Sequence, residues 1–152
     1  MQNYALNGEK EITLSENDTQ SDELLDQNRY RFVDMMPQYK IKLEEWMDRD
    51  KPYLNKDFKL IDVMNVLPLN RSYLSRMFND LYGETFLSFV MRYRIKESTH
   101  LLSTRSDITI SYIALICGFS SPSVFGRAFM KIYGVTPKQY RMSHIHKDEN
   151  AA

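Results

Sequence analysis

Cysteine is nearly absent from these 152 residues: Cys117 stands alone, which excludes an internal disulfide and a multi-cysteine metal site. A reduced, intracellular setting is the default that follows. Histidine is almost as scarce, with His100 far from His144 and His146 and no acidic partner to complete a ligand set, so no metal is expected. No apolar run approaches the ~20 residues of a membrane span. The first ten residues lack the basic-then-apolar pattern of a signal peptide. No phosphate loop, catalytic triad or paired-carboxylate motif is present, and neither a cofactor nor catalysis is expected. Glycine and proline number five each, and neither occurs between Thr85 and Ser103.

What the chain does have is an uneven charge. Net charge is formally zero, but residues 1–50 hold 6 Lys and Arg against 12 Asp and Glu, and residues 51–152 hold 14 against 8. That division suggests an acidic extension on a basic functional domain, though a solvated linker beside an ordinary surface would give the same sums. With 43% apolar residues the chain has material for a core. Up to about Asn28 the sequence is polar and acidic and reads as a flexible leader or linker, with order beginning near Phe32 or Tyr39. Ile41, Leu43, Trp46 and Met47 are spaced roughly for one helical face before Pro52 ends the pattern.

Beyond Pro52 the chain repeats itself. Ser72 to Val90 and Ser123 to Arg141 align at an offset of 51, which pairs Arg76 with Arg127, Phe78 with Phe129, Tyr82 with Tyr133 and Gly83 with Gly134. Upstream the offset is 50, pairing Leu60 with Ile110, Val63 with Ile113 and Val66 with Ile116. Two copies are too few for a solenoid, so two similar small units are expected. Each reads as helix, tight turn, helix.

In the first unit the stripe is Leu60, Val63, Met64 and Leu67, with Pro68 in the turn, Asn70 as cap, then Leu74, Met77, Phe78 and Leu81 up to Gly83. In the second, Asp107 or Thr109 caps a helix striped by Ile110, Ile113, Ala114 and Cys117. Gly118 ends that helix; Ser121 and Pro122 open the next, which carries Phe125 and Phe129 to a stop at Gly134. Between the units Thr85 to Ser103 holds neither Gly nor Pro and predicts a linker helix about 27 Å long. A last helix follows Thr136 and Pro137, with Tyr140 turned inward.

The expected architecture is all-α: two tandem helix-turn-helix subdomains joined by a long linker helix, about seven helices in all. The segments are a leader at 1–38, a first subdomain at 39–84, the linker helix at 85–103, a second subdomain at 104–147 and a tail at 148–152.

A helix-turn-helix lays one helix across the DNA backbone and pushes a second into the major groove. That second helix must show short or hydrogen-bonding side chains outward near its N-terminus. Placing Leu74, Met77 and Phe78 inward leaves Arg71, Ser72, Ser75, Arg76 and Asn79 outward; placing Phe125 and Phe129 inward leaves Ser123, Val124, Gly126, Arg127 and Met130. Arginine matches the O6/N7 edge of guanine, and serine serves any base. One exposed arginine is more often an ordinary surface ion pair; the same arginine in both copies, among small neighbours, points to base reading. Arg92, Arg94, Lys96, Arg105, Lys131 and Lys138 are candidates for phosphate contact, and the caps Asn70 and Ser121 mark helix N-termini that add backbone donors. A rigid connector of about 27 Å would let two reading helices reach groove segments roughly 34 Å apart on one DNA face.

Ile113 to Arg141, IALICGFSSPSVFGRAFMKIYGVTPKQYR, resembles the signature of the DNA-binding domain of the AraC/XylS transcription regulators: I-A-x-x-x-G-F-x-S, then F-x-R-x-F, then G-x-[ST]-P-x-x-Y-R. The likeness covers about Leu43 to Met142, and the first unit is similar to the sensor-linked type of the Bacteroidetes. The resemblance implies seven helices in two lobes, with the third and sixth helices entering adjacent major-groove segments. It places the base-reading positions on Ser72, Ser75 and Arg76, and on Pro122, Ser123, Gly126 and Arg127. This sequence has a small Ser72 where members carry a large side chain, no side chain at Gly126, and Met64 where alanine is usual. Readout by the second unit therefore leans on Arg127, and looser packing is expected at Met64.

The resemblance also implies double-stranded DNA as partner and a sensor domain or second copy reached through the N-terminal segment; RNA polymerase is a further expected partner, and the expected place is the cytoplasm at the nucleoid. No sensor fits before Tyr39, so the chain reads either as a short stand-alone regulator or as the output end of a longer one. Two rival readings remain. Cys117 as a nucleophile would need an activating base and a surrounding metal cluster, and it lies on an apolar stripe beside Ile113. A protein-interaction module built on 10 Tyr and 9 Met would accompany DNA binding more naturally than replace it.

Overall fold

The computed structural model describes residues 16–149, and the side chains of 20–145. Residues 1–15 of the expected leader and 150–152 of the expected tail lie outside that range, as does the His146 side chain. The chain divides into two compact units, Met1–Met36 and Pro37–Ala152.

The described part of the first unit is the start of helix α1, Glu16–Asp50, and residues 20–31 are exposed throughout. Residues 16–38 are thus helical where a flexible leader is expected. The physical reason is local: no glycine interrupts this stretch, and Leu, Glu, Gln, Arg and Met are good helix formers whether or not a face is buried. The unit boundary falls at Pro37, inside the helix, where the ring nitrogen cannot donate to the carbonyl one turn back.

In the second unit α1 buries Leu43 and Met47 completely. Ile41, expected on the same face, is 56% exposed, because two residues of helix turn it about 200° from Leu43. Lys51 then adopts a left-handed conformation (φ 46°) and a 3₁₀ turn, Pro52–Leu54, follows. Helix α2, Leu60–Met64, is short; Lys59 N–H donates to Asp62 Oδ2 at 2.7 Å at its start. Val63 and Leu67 are fully buried while Met64 is 36% exposed, so Met64 lies at the rim and is not a full part of the expected stripe.

Asn70 caps α3, Arg71–Tyr82, by accepting from Tyr73 N–H at 2.9 Å, and Gly83 closes it at φ 63°. Thr85 caps α4, Phe86–Thr104, accepting from Ser88 N–H at 3.2 Å. Thr109, rather than Asp107, caps α5, Ile110–Ile116, through Tyr112 N–H; Asp107 is engaged by Arg105. Ser121 caps α6, Pro122–Tyr133, through Val124 N–H, with Pro122 in the first turn and Gly134 closing at φ 70°. Thr136 and Gln139 satisfy each other's backbone N–H at the start of α7, Pro137–Glu149, a reciprocal capping box.

Two apolar interiors result, both leaning on α4, which packs against the 3₁₀ turn, α3, α5, α6 and α7. In the first, ring contacts run from Trp46 to Phe58, on to Phe86 and Phe78, and through Phe89 to Tyr93 and Tyr53. In the second, Ile95, Leu102, Ile113, Ala114, Cys117, Phe119, Phe125 and Phe129 are buried together. Along α4 the buried positions Val90, Arg94, Ser98 and Leu102 follow an i, i+4 stripe, with Phe89 beside it serving the first interior. No helix among the described residues is long and apolar enough to cross a membrane.

Candidate nucleic-acid interface

The repeat places equivalent side chains in equivalent settings. Leu74, Met77 and Phe78 of α3 are fully buried, and so are Phe125 and Phe129 of α6. With those faces fixed inward, Arg71, Ser72, Ser75, Arg76 and Asn79 are exposed on α3, and Pro122, Ser123 and Arg127 are exposed on α6. Gly126 is half-buried, and a Cβ built there would meet nothing within 4 Å. The surface beside Arg127 is therefore an open notch, which lets a base edge or a phosphate come close to the helix backbone.

The two arginines differ in what holds them. Arg76 Nε lies 3.2 Å from Asp80 Oδ2, one turn along α3, with both side chains more than 40% exposed. The repeat puts Lys131 where Asp80 stands. Arg127 forms no ion pair or hydrogen bond among the described residues, so α6 presents two uncompensated cations where α3 presents a braced one. At the helix starts, Asn70 and half-buried Ser121 spend their side-chain oxygens on Tyr73 N–H and Val124 N–H. The remaining first-turn N–H groups and the positive end of each helix dipole face outward.

The residues expected at phosphates do not share one setting. Arg92 and Lys131 line one cleft of about 370 Å³ between the start of α4 and the end of α6. Arg92 is held there by Glu84 Oε1, at 3.0 Å from Nε and 2.7 Å from Nη2, over the rings of Phe89 and Tyr93. Lys138 is exposed in the first turn of α7. Arg105 is exposed and pairs side-on with Asp107 through two 2.8 Å bonds, and its guanidinium holds the Asp107 carboxyl down at about 2. Lys96 is exposed but lines a separate cavity of about 210 Å³ with Asp48, Glu97 and His100, among residues of α1, the 3₁₀ turn and α4 and none of α3 or α6. It is not brought together with Arg76 or Arg127.

Arg94 corrects the expectation outright. It is 7% exposed, and it donates from Nε to Tyr53 O at 2.7 Å and from Nη2 to Asn55 O at 2.9 Å. A guanidinium spent on two backbone carbonyls inside the protein cannot neutralise a phosphate. The signal was in the sequence: Arg94 stands on the apolar i, i+4 stripe with Val90 and Leu102, not opposite it. Cys117 is fully buried, and desolvation, helped by Glu97, pushes its thiol up to about 12, the reverse of what a nucleophile needs. Among the described residues no cluster of three or more His, Cys, Asp or Glu is arranged to hold a metal ion.

Two helix-turn-helix units joined by one linker helix, each with a capped second helix that shows an arginine outward over a buried phenylalanine, define the class of double helix-turn-helix DNA-binding proteins. A family model described as a helix-turn-helix domain matches residues 64–143, just over half of the chain. The chain belongs to the AraC/XylS-type family of DNA-binding transcription regulators.

Among its relatives, the regulatory protein PocR of Salmonella typhimurium is 37% identical over 89 residues, covering 59% of this chain and 29% of that protein. The probable transcriptional regulator LumQ of Photobacterium leiognathi is 32% identical over 89 residues, covering 59% of this chain and 36% of that one. The chain thus spans about a third of the length of these relatives.

Among solved structures, the C-terminal domain of the two-component response regulator yesN from Fusobacterium nucleatum superposes with a TM-score of 0.57 at 31% identity, covering 65% of this chain and 97% of that one. The DNA-binding domain of AdpA, solved with a target DNA, has a TM-score of 0.61 at 25% identity, covering 70% and 95%.

Proposed function

We propose that α3 and α6 read the two halves of an asymmetric duplex site about two turns long. Arg76 and Arg127 are the principal base contacts, supported by Ser72, Ser75, Pro122, Ser123 and the notch at Gly126. Arg71, Asn79, Ser121, Arg92, Arg105, Lys131 and Lys138 position the backbone. The observation that carries this reading is the matched exposure of Arg76 and Arg127, at equivalent places on two helices whose opposite faces are sunk in separate cores. The chain acts as the output domain of a larger signal-responsive regulator, one that meets RNA polymerase at the promoter. The greater length of its relatives and the description of one neighbour as a C-terminal domain of a response regulator support that part. It works in the cytoplasm at the nucleoid and carries out no catalysis.

The test is competition binding with single-base operator variants. Arg127→Ala should cost about 1–3 kcal/mol at the cognate site and flatten discrimination at one base pair only. A uniform loss at every sequence, or none, would remove Arg127 from the base contacts.

A further inference from the structure

We propose that Arg94, clamped to the 3₁₀ turn and backed by Gly118, fixes the position of α6 relative to α3 and thereby sets the spacing between the two halves of the DNA site. The inference rests on the two-helix reading given above and adds a residue to it that touches no DNA.

Three pieces of chain meet at one point. Tyr53 and Asn55, of the loop that belongs to the first helix-turn-helix, offer their carbonyls to Arg94 of the linker helix at 2.7 and 2.9 Å. Gly118, of the turn between α5 and α6 in the second, presses on the same loop. A Cβ placed on it would stand 2.6 Å from Tyr53 O, 3.0 Å from Leu54 O and 2.9 Å from Arg94 Nε. The contacts to Tyr53 O and Arg94 Nε are closer than real Cβ atoms come, and φ of 86° at Gly118 disfavours any other residue as well. Three residues beyond Gly118 lies Ser121, the cap of α6. A shift at this joint therefore moves the start of the second reading helix against the first half of the molecule.

The clamp is suited to holding a distance. A guanidinium is a planar fork whose donors lie in fixed directions, so two carbonyls bonded to it are held in register; a lysine ammonium on a flexible stem would bond one and leave the other free. Arg94 has no carboxylate partner among the bonds seen, so its charge rests on the carbonyls, and burial lowers its pKa as expected of such a site. The loop is tied from its other end too: Lys51, in its left-handed conformation, reaches Glu97 on the next turn of α4 at 3.0 and 2.9 Å.

DNA makes the consequence measurable. One added base pair moves the second half-site by about 3.4 Å along the axis and about 34° around it. A fixed pair of reading helices cannot follow that, whereas a hinged pair can. The experiment takes the two half-sites recovered from the parent and measures affinity for duplexes with the natural spacer and with one base pair added or removed, for the parent, Arg94→Lys and Lys51→Ala.

The parent should lose about tenfold at either altered spacer, the scale of one mismatched pair. Arg94→Lys should keep the same half-site sequences but reduce the spacer penalty to about threefold or less, and Lys51→Ala should reduce it in the same direction. A penalty unchanged in a folded Arg94→Lys, or an equal weakening at all three spacers, overturns the inference and leaves Arg94 as ordinary packing. If Arg94→Lys does not fold by circular dichroism, Lys51→Ala decides: its ion pair is partly exposed, and a full parental penalty there overturns the proposal. A parent that binds no two-part site at all fails at the earlier step, the two-helix reading, and takes this inference with it.

Discussion

Arg76 and Arg127 occupy the same place in the repeat, yet they start from different energies. In the proposed reading Arg76, braced by Asp80, exchanges that partner for a base, while Arg127 forms no ion pair or hydrogen bond among the described residues that it would have to give up. Exposed ion pairs are worth roughly 0–1 kcal/mol, so the exchange lowers what Arg76 contributes without cancelling it. Alanine at Arg127 is therefore expected to weaken cognate binding more than alanine at Arg76, by up to about 1 kcal/mol, as measured by fluorescence anisotropy on one duplex. Equal losses would show that Asp80 does not compete.

Cys117 gives a second residue-level expectation. Its thiol, near 9 when unfolded, is raised to about 12 by burial. The folded state therefore prefers the neutral thiol: the stabilising effect is whole below about pH 9 and is lost as pH rises toward 12. Stability in urea should fall across that alkaline window, and the thiol should resist an aromatic disulfide reagent at pH 8 until denaturant is added. Prompt reaction in native buffer would contradict the burial.

At the scale of the element, α3 and α6 depend on their caps and on the phenylalanines beneath them. Ser121→Ala removes the acceptor for Val124 N–H and should cost about 0.5–2 kcal/mol. Phe129→Ala, fully buried against Phe125, Tyr133 and Tyr140, should cost about 3–5 kcal/mol, both checked by urea melts.

These elements are also where the sequence was most readable. Capping residues and terminating glycines act within a few residues of themselves, so Asn70, Ser121, Gly83, Gly118 and Gly134 could be placed without knowing the tertiary structure, and the 51-residue repeat confirmed one unit by the other. The linker helix was expected at Thr85 to Ser103 and runs Phe86–Thr104.

What escaped were features decided by distant partners. Arg94 looked like a surface cation because its carbonyl partners lie about forty residues away, in a turn with no recognisable pattern. Gly118 was legible as a helix terminator but not as the point where the two halves touch. The first half of α1, Glu16–Asp50, is polar enough to resemble a leader, yet it holds no helix breaker before Pro37.

On the scale of the whole molecule, the formal neutrality of the chain is misleading for a DNA-binding protein, since the excess of basic residues lies after position 50 and the acidic excess before it. Binding should depend on the local field of the basic part and fall steeply with salt, because each neutralised phosphate releases counterions. Lys131→Ala should lower the slope of log K against log salt by about 1 and weaken all sequences alike. An unchanged slope would place Lys131 outside the phosphate contacts.

Selection of bound sequences from a pool of random duplexes tests whether α3 and α6 read one two-part site. Two enriched half-sites are expected, at least one of them holding a guanine, with centres about 10–10.5 base pairs apart, one helical turn. A single short motif that one helix could read alone, or no enrichment over the starting pool, would contradict that reading.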